Sequence, residues 1–255
     1  SAMSCVNIRG CRIGEGRPKV ILPIVERTEA AILEKAAQFS TLSADCVEWR
    51  ADWYQDVFDF QEVEKTAKML REALGEIPVL FTFRTAKEGG EKAINTETYV
   101  ALNQRIAKTG LVDLVDIEAF TGDEAVKRVI DTAHACSVKV VVSNHDFDKT
   151  PSKEELVSRL RKMQDLGADI PKIAVMPQSK KDVLTLLAAT EEMATEYADR
   201  PIITMSMTGT GVISRLCGEV FGSALTFGAA GKASAPGQMG VEDLKTVLTL
   251  LHNSL

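Results

Sequence analysis

The sequence lacks paired cysteines. Its five (Cys5, Cys11, Cys46, Cys136, Cys217) are odd in number, scattered and free of any C-x-x-C pair, which argues against both a disulfide framework and a zinc site. A reduced cytoplasm is the simplest compartment for such a chain. Long apolar runs are missing too, and Arg9, Arg12, Glu15, Arg17 and Lys19 break up the N-terminal stretch, so neither a signal-peptide core nor a membrane span is expected. There is no excess of positive charge: a net charge of −6 argues against a general nucleic-acid or acidic-membrane partner and leaves a small molecule as the expected one. No G-x-G-x-x-G follows the first strand-like run, which removes most support for a dinucleotide fold. Low-complexity segments and linkers are absent as well.

What is present is enough apolar residue, 45% of 255, to bury a substantial core. Ser1-Ala2 before Met3 reads as a tag scar, and Val6 to Ile13 as a small hairpin turning near Arg9-Gly10; residues 1–18 are assigned to these two features. From Lys19 a pattern repeats. Strand-like runs begin near Lys19, Cys46, Val79, Leu114, Lys139, Pro171, Pro201 and Leu225, each followed by a segment of helical period such as Glu29 to Phe39 or Glu154 to Leu166. Such alternation in a chain of this length predicts one parallel (β/α)8 barrel over residues 19–255 rather than an open doubly wound sheet. The least regular stretches are Ala86 to Ala93, Thr208 to Gly211 and Ala229 to Gly240. In a barrel all three follow strands on the face where active sites form.

The outer face of a barrel strand is covered by helices and must be apolar, so a charged residue within a strand is driven to the lumen or its rim. Val47, Trp49 and Ala51 alternate with Glu48, Arg50 and Asp52; Phe81 and Phe83 with Thr82 and Arg84; Val115 and Ile117 with Asp116 and Glu118. Val140 and Val142 oppose Val141, Ser143 and His145, and in the run Asp169 to Gln178 Lys172 shares a face with Ala174 and Met176. Five neighbouring strands thus aim ionisable groups at one cavity. An internal salt-bridge network is one reading; a reactive pocket is the other. Lys172 either snorkels to solvent or is a buried amine that condenses with a carbonyl. His145 either hydrogen-bonds structurally beside Asp146 or moves protons for that imine chemistry. Glu88, on the loop Lys87-Glu-Gly-Gly90, either is solvated or orients His145.

Phe81-Thr-Phe-Arg-Thr-Ala-Lys-Glu-Gly-Gly90, Ser143-Asn-His-Asp146, Pro171-Lys-Ile-Ala-Val175, Gly211-Val-Ile-Ser-Arg215 and Ala233-Ser-Ala-Pro-Gly-Gln238 together resemble the type I 3-dehydroquinate dehydratases of the shikimate pathway. The resemblance runs from Lys19 onward. It implies dehydration of 3-dehydroquinate to 3-dehydroshikimate without cofactor or metal, with Lys172 as the Schiff-base lysine, His145 as the proton shuttle and Glu88 as its orienter. It further implies that Arg215 clamps the substrate carboxylate and that Ser234 and Gln238 close over it from a lid-like Ala229 to Gly240 loop. Glu48, Arg50 and Arg84 would hold the substrate hydroxyls, and the protein would be a homodimer. Pro23 departs from the family, whose members can carry serine there, and Thr208 and Gly209 receive no role. Arg215 could instead pair with Glu219 at i+4.

Attack by Lys172 requires a lowered pKa, expected from burial under Ala174 and Met176 with Arg50 or Arg84 nearby. A class I aldolase or transaldolase is a competing enzyme, because Thr208-Gly-Thr-Gly211 could cradle a phosphate. A dehydroquinate-binding sensor without catalysis is a competitor of another class.

Overall fold

The structure is a computed structural model that describes residues 5–230 and 236–255; the expected tag scar lies outside them. Val6–Ile8 (β1) and Cys11–Ile13 (β2) form an antiparallel hairpin, with positive φ at Arg9 and Gly10 making the tight turn. Eight barrel strands follow: Lys19–Ile24 (β3), Cys46–Arg50 (β4), Val79–Thr82 (β5), Leu114–Glu118 (β6), Lys139–Asp146 (β7), Ile170–Val175 (β8), Ile203–Ser206 (β9) and Leu225–Ala229 (β10). Met239–Gly240 (β11) adds two residues to the side of β10. The helices are Glu29–Phe39 (α1), Phe60–Leu74 (α2), Thr96–Lys108 (α3), Asp123–Ala135 (α4), Lys153–Leu166 (α5), Lys180–Glu192 (α6), Gly218–Phe221 (α7) and Val241–Asn253 (α8).

Sheet order is β11-β10-β3-β4-β5-β6-β7-β8-β9. Between β9 and β10 the ring is completed by a parallel bridge, Ile202 to Ser223, where the Ala224 N–H donates to the Ile202 carbonyl at 2.8 Å. The expected (β/α)8 barrel is therefore the fold, with the hairpin at its foot.

Alternation along the strands sorts the apolar side chains into two shells. Val47, Trp49, Phe81, Phe83, Val115, Ile117, Val140, Val142, Ile173 and Val175 pack outward with helix residues such as Ile32, Leu70, Ile106 and Leu160. Ile21, Cys46, Leu80, Leu114, Val141, Ile170, Ile203 and Leu225, one from each barrel strand, fill the lower lumen together with Val6, Ile8 and Ile13 of the hairpin. The hairpin is thus a floor. Each fully buried aliphatic side chain contributes about 1.5–3 kcal/mol, and this apolar plug leaves only the upper lumen for polar groups.

One aspartate before each of β4, β6 and β8 ties the foot of the ring. Asp45, Asp113 and Asp169 each accept a hydrogen bond at 2.8 Å from a backbone N–H at the start of the preceding strand, Val20, Val79 and Val140 respectively. Thr28, Asp59, Asn95 and Ser152 cap α1, α2, α3 and α5 with side-chain oxygens, satisfying N–H groups that the first helical turn leaves unbonded.

The seventh unit departs from expectation. Its strand runs from Ile203, close to the expected start, with Ile202 in the bridge to Ser223. No helix of ordinary length follows; a 3-10 turn, Val212–Arg215, leads to the four-residue α7. Gly211 and Gly218 sit where an added Cβ would lie 2.1 and 2.3 Å from the Ser206 and Ser223 carbonyl oxygens. Close backbone packing therefore takes precedence over helix there. Ala51 and Asp52 fall in a 3-10 turn after β4, and Arg84 lies beyond the end of β5.

Candidate active site

The side chains predicted at the lumen mouth meet there. Glu48, Arg50, Arg84, Glu88, His145, Lys172 and Gln238 share the wall of a cavity of about 420 Å³, its opening included. Register explains the meeting. Glu118, Ser143 and Lys172 are cross-strand neighbours on β6, β7 and β8, so three side chains of the same parity point into one layer.

Lys172 is 5% exposed, which rules out the snorkelling reading. Its Nζ sits 4.3 Å from the centre of the Phe227 ring, and among the described residues it forms no ion pair with a carboxylate. Burial, reinforced by the cations of Arg84 and Arg50 and opposed by Glu48 and Asp116, lowers its pKa to about 8. Ala174 and Met176 join the lumen cluster as expected, while the aromatic lid from Phe227 was not foreseen.

Glu88 is 6% exposed and not solvated. Its Oε1 accepts the His145 backbone N–H at 2.8 Å and faces His145 Nδ1 at 3.1 Å. With Glu88 ionised, this contact selects the tautomer that carries hydrogen on Nδ1 and leaves Nε2 as the basic nitrogen. Burial, with Arg84, Lys172 and Arg50 nearby, holds His145 well below the usual imidazole range. Burial and the Glu118 carboxylate push Glu88 up. Phe147 stacks on the imidazole, with ring centres 6.5 Å apart. The turn bearing Glu88 needs both of its glycines: a Cβ at Gly90 would lie 1.8 Å from the Arg84 carbonyl oxygen, and one at Gly89 would enter the Phe147 ring. Asp146 does not touch the imidazole; it accepts the Asp148 and Lys149 N–H groups at 2.9 Å. The other histidines bind surface carboxylates, His134 with Asp169 and His252 with Glu219.

An internal ion-pair network is present beside the reactive groups. Arg84 holds Asp116 with two parallel bonds of 3.0 Å and reaches Glu118 and Ser143 at the same distance. Arg50 holds Asp52 at 2.8 and 2.9 Å. Thr82 donates to Glu48 at 2.9 Å. Alongside burial, both arginines lower the Lys172 pKa although their own charges are paired.

Arg215 is the site residue that lies apart. It is 2% exposed, donates to the Pro236 carbonyl at 2.9 Å and touches Met205 Sδ at 3.4 Å, and Met205 in turn lines the cavity. Glu219 is engaged by His252 instead, and burial lowers the Arg215 pKa to about 10. Its Nε has no partner among the described residues. Ser234 lies outside the described residues. Sequence reasoning missed Phe147, Met205, Met207 and Phe227, which line the cavity; nothing in their spacing marks them, because apolar lumen residues read as core.

The phosphate-cradle alternative at Thr208-Gly-Thr-Gly211 calls for a helix N-terminus behind it. Only the 3-10 turn Val212–Arg215 follows, and the Thr208 and Gly211 N–H groups already donate to the Pro236 and Thr208 carbonyls. No group of three or more metal-ligating side chains occurs among the described residues, and no helix among them is long and apolar enough to cross a membrane.

The family model for type I 3-dehydroquinase matches residues 20–255. The chain is 58% identical over 252 residues to a 3-dehydroquinate dehydratase of Escherichia coli strain K12, covering 99% of this chain and all of that one. It is 57% identical over 250 residues to one from Bacillus licheniformis, covering 98% of each. A crystal structure of the type I enzyme from Clostridium difficile, described as carrying covalently modified comenic acid, superposes with a TM-score of 0.97 at 55% identity, over 99% of this chain and 100% of that one. The chain belongs to the type I 3-dehydroquinase family.

Proposed function

We propose that this protein dehydrates 3-dehydroquinate to 3-dehydroshikimate through an imine on Lys172, within one catalytic unit over residues 19–255 whose floor is the hairpin. The observation that carries this is the pairing of a buried lysine, outside any ion pair among the described residues and with a pKa of about 8, with the Glu88-oriented imidazole in the same cavity. At pH 7 an amine of pKa 10.5 is neutral in about one molecule in 3,000, and one of pKa 8 in about one in ten. Burial therefore supplies a gain on the order of 300-fold in attacking amine.

The neutral Lys172 amine adds to the C3 ketone, and the carbinolamine, taking up one proton relayed by His145, loses water to give a protonated imine; hydrolysis later returns that proton. That cation withdraws electrons from C2, His145 removes the C2 proton through Nε2, and the C1 hydroxyl leaves as water once His145 returns the proton. Hydrolysis of the imine then frees the product and the amine. Glu48 with Arg50 and Arg84 faces the substrate hydroxyls. Arg215 is assigned the carboxylate, since a buried guanidinium with one nitrogen unsatisfied and no carboxylate beside it is suited to a bidentate anion. Ser234 and Gln238 are assigned to the same end of the substrate.

Covalent modification in the Clostridium difficile relative fits the imine route. The test is to mix the protein with 3-dehydroquinate, follow the ultraviolet absorbance of the conjugated enone, and reduce with borohydride before peptide mass mapping. An adduct on Lys172 is expected. Turnover without it, or binding without turnover as in the sensor reading, would overturn the assignment. A homodimer in the cytoplasm completes the proposal, and light scattering checks the first part.

A further inference from the structure

A second cavity lies behind the catalytic pair. It measures about 890 Å³ with its opening included, against about 420 Å³ for the lumen mouth. Thr85, Ile94, Tyr99, Glu118, Phe120 and Thr121 help to wall it. They come from the loops after β5 and β6 and from the region where α3 begins. Glu88 and His145 line both cavities. The pair is thus a partition, with substrate space on one side and a solvent-open cleft on the other.

The rear wall is polar where it meets the partition. Thr85 donates through Oγ1 to Glu118 Oε1 at 2.6 Å and through its N–H to Glu118 Oε2 at 2.9 Å, and the Glu118 N–H donates to the Tyr99 hydroxyl at 3.1 Å. Although Ala86, Ala93, Ile94 and Phe120 make part of the wall apolar, the hydroxyls and carboxylates of Thr85, Thr96, Tyr99, Thr121, Glu88 and Glu118 give water polar partners, each molecule taking about 30 Å³.

The chemistry requires a route for water. Resting on the imine reading above, one turnover expels a water when the imine forms and a second when the C1 hydroxyl leaves, and it takes one back at hydrolysis. Two waters leave and one enters while the ring fills the lumen mouth. We propose that the rear cavity is the water and proton port of the active site, connecting the Glu88–His145 pair to solvent while substrate occupies the front. The C2 proton leaves with the C1 hydroxyl by way of His145; the port exchanges water and carries the one proton that imine formation takes up and hydrolysis gives back, so the cycle balances.

Plugging the cleft from its outer wall tests this without touching the catalytic groups. Thr121→Trp and, separately, Ala93→Trp place an indole in the cleft; Ala93 is exposed, so the second variant is expected to fold even if the first does not. Turnover is run in 18O-water and quenched early. In the parent, the oxygen of the new C3 ketone comes from bulk water. In the plugged variants kcat falls at least fivefold with KM within twofold, and the ketone carries less than half the label, because the expelled water is used again. Unchanged kcat and label in the folded variants overturn the port, as does a fall in kcat with full labelling, which means that His145 was merely displaced. Either result leaves the dehydratase reading standing if the parent still dehydrates. A parent that forms no imine removes both.

Discussion

A buried lysine kept reactive should cost the fold stability, and that cost has a definite pH window. Lys172 drops from 10.5 to about 8 on folding, which at about 1.4 kcal/mol per pH unit amounts to roughly 3 kcal/mol. Below pH 8 the amine is charged in both states and the folded state bears the full cost. Between pH 8 and 10.5 the folded state has lost its proton while the unfolded state keeps it, so stability rises with pH across that window. Lys172→Met removes the charge, nearly conserves volume and places sulfur against Phe227, a favourable neighbour. The variant should therefore be more stable than the parent by up to about 3 kcal/mol at pH 7 and by less than about 1 kcal/mol at pH 10. Loss of a cation beside Glu48 and Asp116 trims the first figure. Paired urea titrations at the two pH values measure the difference, and other titrating groups cancel because both proteins carry them. A variant less stable than the parent at pH 7, or a gap independent of pH, would refute the reasoning. The same variant should show no dehydration.

Three further outcomes follow from the site. His145→Ala should lower kcat by about 10²–10⁴-fold while borohydride still traps substrate on Lys172, as measured by adduct mass. Gly90→Ala forces a Cβ against the Arg84 backbone carbonyl; chemical denaturation should show a loss of about 2 kcal/mol or more, with activity falling as Glu88 moves off the imidazole. Arg215→Ala should raise KM by about a hundredfold with a smaller change in kcat, the pattern of a lost charge-assisted bond to the substrate carboxylate, and steady-state kinetics separates the two constants.

Much of this protein was legible in the residue order because a parallel barrel turns strand parity into direction. Glu48, Arg50 and Lys172 could be assigned to the lumen from alternation alone, and each lines the cavity. Glu88 was legible only as one of two alternatives, orienter of His145 or solvated charge, since a glutamate beside two glycines looks solvated until the turn is folded against Phe147. Phe227 and Met205 gave no signal at all. Their apolar side chains serve the site by desolvating Lys172 or packing against Arg215, and composition does not distinguish that from ordinary packing.

By itself the chain determined its strand parity, its eightfold alternation and the identity of its reactive groups, because these depend on local order and on the rule that buried strand faces are apolar. Only the tertiary structure decided the electrostatics. Whether Lys172 would find a carboxylate partner, whether Arg215 would pair with Glu219, and which side of Glu88 would face solvent all depend on distances between residues far apart in sequence. Charges interact through space and through the burial around them, and neither is set until the ring closes.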